Sequence, residues 1–214
     1  MAFLCLPAKG RFVSLLFKRK FKRVFCRIPL LVFVFLWIAA VNSYSQTSLF
    51  QSNPGSNVRE NDGSGLELGM RFRSTQNGFI TAIRYYKPPG TTGTHTGHLW
   101  TNSGTLLASV TFTGESSSGW QQAPLGSPVS ITANTTYVVS YFSPSGDYAV
   151  TRPYFTVAVT NGPLRGLANG EDGANGLYRY TSSSAFPNNN YGTSNYWVDV
   201  VFTVNAGARR ADRA

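Results

Sequence analysis

His95 and His98, the two histidines of the chain, stand three residues apart in "TGTHTGHLW". On a helix, positions i and i+3 share a face and can share a zinc ion; on a strand they point to opposite faces. Threonine and glycine around both histidines forbid a helix, and the nearest acids in sequence, Glu67 and Glu115, are distant. The pair is therefore expected to make hydrogen bonds in a turn that hands the chain to a strand, with no metal between them.

Nucleophilic hydrolysis needs an activated serine or cysteine with an oriented base. The chain has no G-x-S-x-G, and both of its cysteines, Cys5 and Cys26, fall in the first 27 residues. A carboxylate pair for glycoside hydrolysis would have to come from Glu60, Asp62, Glu67, Glu115, Asp147, Glu171, Asp172 or Asp199, none in a distinctive context. No enzymatic activity is expected.

Binding is better served. Aromatic rings offer flat apolar faces to sugar rings, and neighbouring polar groups supply hydrogen bonds. In "NYWVDVVF" the residues Tyr196, Val198, Val200 and Phe202 form an expected core row, which leaves Trp197 and Asp199 together on the opposite face. They are either a sugar platform or, alternatively, a tryptophan packed beneath a loop or second sheet and an aspartate paired with Arg71 or Arg84. Trp100 carries the same ambiguity. Tyr178, Tyr180 and Tyr191, in a stretch rich in Gly, Asn, Ser and Pro, are the stronger candidates for an exposed aromatic surface. In "NGEDG", Glu171 and Asp172 are either calcium ligands or ordinary solvated turn residues.

These residues need a scaffold, and the sequence has the two-residue period of strands. In "LELGMRFRS" (residues 66–74), Leu66, Leu68, Met70 and Phe72 share one face, and Glu67, Arg71 and Arg73 share a wet one. "GFITAIRYYK" (78–87) has two partly buried faces. "HLWT", "NSG" and "TLLASVTFT" make a hairpin. Further strands are expected around 120–125, 129–131, 136–142, 148–151 and 195–203, with turn residues between them. Many short strands without a helix indicate an antiparallel β-sandwich of jelly-roll type, with a barrel as the alternative topology. Residues 161–193 read as a long surface excursion in which only "LYRY" resembles a strand.

The formal charge of +10 is unevenly placed. Lys9, Arg11, Lys18, Arg19, Lys20, Lys22, Arg23 and Arg27 precede "IPLLVFVFLWIAAV" (28–41), an apolar run too short to cross about 30 Å of hydrocarbon. Residues 1–45 therefore read as a secretory signal peptide cut after Ser45, with an uncleaved membrane anchor as the alternative. Removing those eight bases leaves 11 (19 minus 8) against nine acids, a net of +2, so nucleic-acid binding loses its support. The expected organisation is a leader (1–45), a flexible segment (46–63), a β-sandwich (64–205) and a flexible tail (206–214), in a protein that is secreted or held in the cell envelope.

"LGMRFRSTQNGFITAIRYYK", "GTHTGHLWTNSGTLLASVTFTGESSSGWQ" and "NYWVDVVFT" together resemble the family catalogued as domain of unknown function 4082, over residues 52–204. The resemblance implies a β-sandwich exported by bacteria, in a family often found beside immunoglobulin-like and carbohydrate-associated modules, and it implies no established activity. His95 matches the family's pattern, whereas His98 stands where serine is common, so a site needing both would not be a family property. The reading is a non-catalytic extracellular binding or adhesion module, for glycans or other extracellular polysaccharide. The alternative is a structural or protein-interaction domain of the cell envelope, calcium-stabilised or not, with a surface protein as partner.

Overall fold

A computed structural model describes residues 45–54 and 58–205. The expected leader, apart from Ser45, and the tail 206–214 lie outside the described residues. All regular elements among the described residues are strands, and all their pairings are antiparallel. In chain order they are β1 (Arg59–Asn61), β2 (Leu66–Ser74), β3 (Gly78–Lys87), β4 (Thr96–Thr101), β5 (Leu106–Thr111), β6 (Gly119–Ile131) and β7 (Tyr137–Ser143). They continue as β8 (Asp147–Ala149), β9 (Val159–Asn161), β10 (Leu164–Gly166), β11 (Leu177–Tyr180), β12 (Asn189–Asn190) and β13 (Val198–Thr203).

The strands form a β-sandwich. One sheet runs β12-β11-β2-β7-β4-β5, with β10 pairing β2 and β9 pairing β10; the facing sheet runs β13-β3-β6; β1 and β8 form a separate ribbon. The β4–β5 hairpin turns through Thr101, Asn102, Ser103 and Gly104, as the "NSG" signal requires. Leu66, Leu68, Met70 and Phe72 of β2 meet Val139 and Tyr141 of β7, Ile83 and Tyr85 of β3, and Val198, Val200 and Phe202 of β13 in one core. Each such large apolar side chain contributes about 1.5–3 kcal/mol by leaving water.

Three expectations change. The outer face of β2 is not wet along its whole length, because Glu67 is fully buried. The segment after β11 folds back over this sheet: Phe186 meets the Trp100 ring edge-on at 5.7 Å, and Pro187 covers Gly69. A Cβ on Gly69 would lie 2.8 Å from the Val139 carbonyl oxygen and 3.2 Å from Pro187, so the cover fits only over glycine. Under it Glu67 accepts from Ser140 Oγ at 2.5 Å and pairs with His98 Nδ1 at 2.8 Å, while Trp100 Nε1 donates to Ser140 Oγ at 2.7 Å. Both contacts fall on Oε1 of this buried carboxyl, while Oε2 has no polar partner among the described residues.

The described residues of the 46–63 segment, 46–54 and 58–63, are tied to the sandwich. Thr47 exchanges both backbone hydrogen bonds with Phe202 (2.9 and 2.8 Å), Leu49 and Phe50 are buried, and β1 pairs with β8. The excursion 161–193 is also knitted into the large sheet, through β10 and β11 on β2.

Candidate functional site

The large sheet is wider than the sheet it faces. β13 packs over β7 and β2, and β6 packs against β5, so β11 extends past the covering layer. Strand alternation decides what that overhang presents. Tyr178 lies opposite Leu68, and Tyr180 opposite Leu66, so both tyrosines point to the same side as the core row of β2. At the overhang this inner side opens into a cleft of about 340 Å³.

Leu66, Tyr148 and Tyr196 are the buried part of its lining, and Tyr178, Tyr180 and Tyr191 the more open part. Tyr178 and Tyr180 stand edge to face at 5.7 Å, as do Tyr148 and Tyr196. Tyr180 and Tyr191 are 54% and 60% exposed, so their rings are free to be covered by a ligand.

The polar groups come from the β1–β8 ribbon and the chain after β8. Glu60 is gripped by Arg152 through two bonds of 2.6 Å, and Arg152 Nε donates to Ser194 Oγ at 3.1 Å. Its guanidinium lies 5.2 Å from the Tyr191 ring centre. The Arg152 hydrogen bonds hold the Glu60 carboxyl below its ordinary value despite partial burial. The Tyr148 hydroxyl reaches both Glu60 (3.0 Å) and Asp62 (3.2 Å), and the Tyr180 hydroxyl donates to Asp62 at 2.6 Å. That bond, ahead of burial, pushes the Tyr180 phenol up to about 12.

Of the residues expected from sequence, Tyr178, Tyr180 and Tyr191 thus come together; Glu60 and Asp62, weighed from sequence only as candidate carboxylates, join them, and Tyr148, Arg152 and Tyr196, not singled out as binding groups, complete the cleft. The other candidates lie elsewhere. Trp197 and Asp199 are 4% and 0% exposed, so they form no open platform. Residues 47–50 cover that face: Asp199 accepts from the Leu49 and Phe50 amides, both at 3.0 Å, and pairs with Arg84 at 2.8 Å. Trp197 packs against Phe50 and Tyr154, with ring centres at 5.2 and 5.6 Å. Trp100 is buried beneath Phe186. Glu171 and Asp172 do not converge on an open oxygen cage. Glu171 is bound by Arg165 (3.0 Å for both bonds) and Asp172 by Arg73 (2.8 Å) and Thr136 (2.5 Å).

The histidines part company, as strand geometry requires. His98 faces Glu67 on the outer side of the sheet, whereas His95 Nδ1 faces Glu115 at 2.9 Å, next to Lys87 on the same carboxylate at 2.7 Å. Burial pushes the His95 imidazole below its ordinary 6.5, outweighing the attraction of Glu115, and Nε2 has no polar partner among the described residues. The unfolded chain therefore takes up a proton near pH 6.5 that the folded chain refuses, so this contribution to stability is present above pH 6.5 and is lost as pH falls. Urea titrations between pH 7.5 and 5.5 should show stability falling by up to about 1.4 kcal/mol at the acid end. His95→Asn should flatten the slope; an unchanged slope in that variant would assign it elsewhere.

The sequence model of Domain of unknown function (DUF4082) matches residues 51–198. The chain belongs to the DUF4082 family. The DUF4082 match takes in every cleft residue from Glu60 to Tyr196, while residues 47–50 lie outside it. No curated protein matches the chain.

Proposed function

We propose that this DUF4082 domain is a non-catalytic binding module whose ligand is a glycan, held in the tyrosine cleft. The observation that carries the reading is the exposure of Tyr180 and Tyr191 beside a cleft that also presents Glu60, Asp62 and Arg152. Rings stack on the C–H faces of a pyranose, and the charged groups meet its hydroxyls. A volume of about 340 Å³ sits at the small end of ligand pockets and suits one or two sugar rings.

Catalysis fits the same groups poorly. A glycosidase acid must hold a proton near neutral pH, whereas Arg152 keeps Glu60 ionised. The role accords with the secreted or envelope location anticipated from the leader. One feature supports the rival reading of a protein-interaction domain: β5 is an edge strand with Leu106 and Leu107 exposed.

A glycan array followed by affinity electrophoresis tests the proposal. Tyr180→Ala and Tyr191→Ala should each weaken the leading oligosaccharide by on the order of tenfold, with melting temperature nearly unchanged because both side chains are exposed. A flat array, or binding indifferent to both substitutions, would favour the β5 edge.

A further inference from the structure

Resting on that reading, we infer that the cleft selects a cationic sugar, a glycan whose ring carries a free amine. The charges in the cleft do not cancel. Glu60 and Arg152 neutralise each other through two bonds of 2.6 Å, which leaves Asp62 as the surplus charge, a net of −1 from two carboxylates and one guanidinium.

Asp62 has no cationic partner among the described residues; it meets only the neutral hydroxyls of Tyr148 (3.2 Å) and Tyr180 (2.6 Å). Each hydroxyl donates one hydrogen, and a carboxylate has about four acceptor positions, so Asp62 keeps the capacity to accept from an ammonium group. Around it the tyrosines contribute a second, independent attraction. Their ring faces are electron-rich, and a cation within about 6 Å of a ring centre is drawn to them. Tyr180 and Tyr191 are also the two most exposed rings of the cleft, placed where a ligand amine would enter.

The same arrangement rejects anions. A uronate or sulfate would face Asp62 and find the Arg152 charge already taken by Glu60. A neutral glucan would stack and accept hydrogen bonds but would leave the Asp62 charge unmet. The expected order is amine-bearing sugar, then neutral sugar, then anionic sugar, with the first step on the order of tenfold.

Calorimetry on the full chain with three β-1,4 oligomers of equal length tests this: one of glucosamine, its N-acetylated counterpart, and one of glucose. The glucosamine oligomer should bind about tenfold more tightly than the other two. The advantage should shrink with added salt. Asp62→Asn should bring the affinities together, with no change in melting temperature because Asp62 is exposed. Equal affinities in the unsubstituted protein, or an advantage that survives Asp62→Asn, overturns the amine preference while the glycan reading stands. Failure of all three oligomers on a protein whose array is also flat overturns the glycan reading itself. A lysine-rich peptide bound as tightly as the glucosamine oligomer, with the same dependence on Asp62, overturns the assignment of the amine to a sugar.

Discussion

Replacing Asp199 with alanine should destabilise the domain by about 3–5 kcal/mol, the cost of breaking a buried ion pair from one side. Asp199 receives the amides of Leu49, Phe50 and Val200 and two nitrogens of Arg84. Its loss strands the Arg84 guanidinium, itself only 16% exposed and 4.2 Å from the Trp120 ring centre. It also strips acceptors from two amides of the docked segment, and each buried donor left unmade costs about 1–3 kcal/mol. For a domain of this size the melting temperature should fall by roughly 10 °C. Limited proteolysis should cut near residues 47–50 before the rest of the chain. A loss below 1 kcal/mol in urea titrations, with the segment still protected, would show that Asp199 does not fasten it.

The second large effect is expected from Trp197→Ala, about 3–5 kcal/mol for a buried aromatic cut to a methyl group. Its ring joins Phe50, Trp120 and Tyr154 at 5.2, 6.3 and 5.6 Å, and Nε1 donates to Thr151 Oγ1 at 3.0 Å. The residue also sits at φ 54°, a left-handed conformation that bulky side chains rarely adopt, held by the hydrogen bond that its backbone N–H donates to Asn195 Oδ1 at 2.8 Å. Trp197→Phe should recover much of the loss by refilling the site. A variant that melts normally yet loses its glycan would contradict the structural role and restore Trp197 as a ligand contact.

Local pattern made the strands legible. Alternation in 66–74 and 195–203 placed Leu66, Leu68, Met70, Phe72, Val198, Val200 and Phe202 on the core side, where they lie. It could not say what covers the second face of a strand. Asp199 is buried by amides 149 and 150 residues away, and Gly69 by Pro187 from a stretch that reads as loop. Both covers are long-range packing events, invisible to a period of two.

The cleft was legible to the same extent. Tyr178, Tyr180 and Tyr191 stood out as aromatics in a polar stretch, but Glu60 and Arg152 are 92 residues apart and meet only through the β1–β8 ribbon. Tyr148 and Tyr196 carry no local signal, since a tyrosine on a strand reads equally as core.

The most direct measurement is a titration of protein carrying labelled tyrosine and tryptophan rings, followed by NMR, with the glucose oligomer and its amine-bearing counterpart in turn. Ring signals of Tyr178, Tyr180 and Tyr191 should move in step with binding, while the indole signals of Trp100 and Trp197 stay in place. Binding that moves the two indoles and leaves the three tyrosines still would contradict a glycan site in the tyrosine cleft.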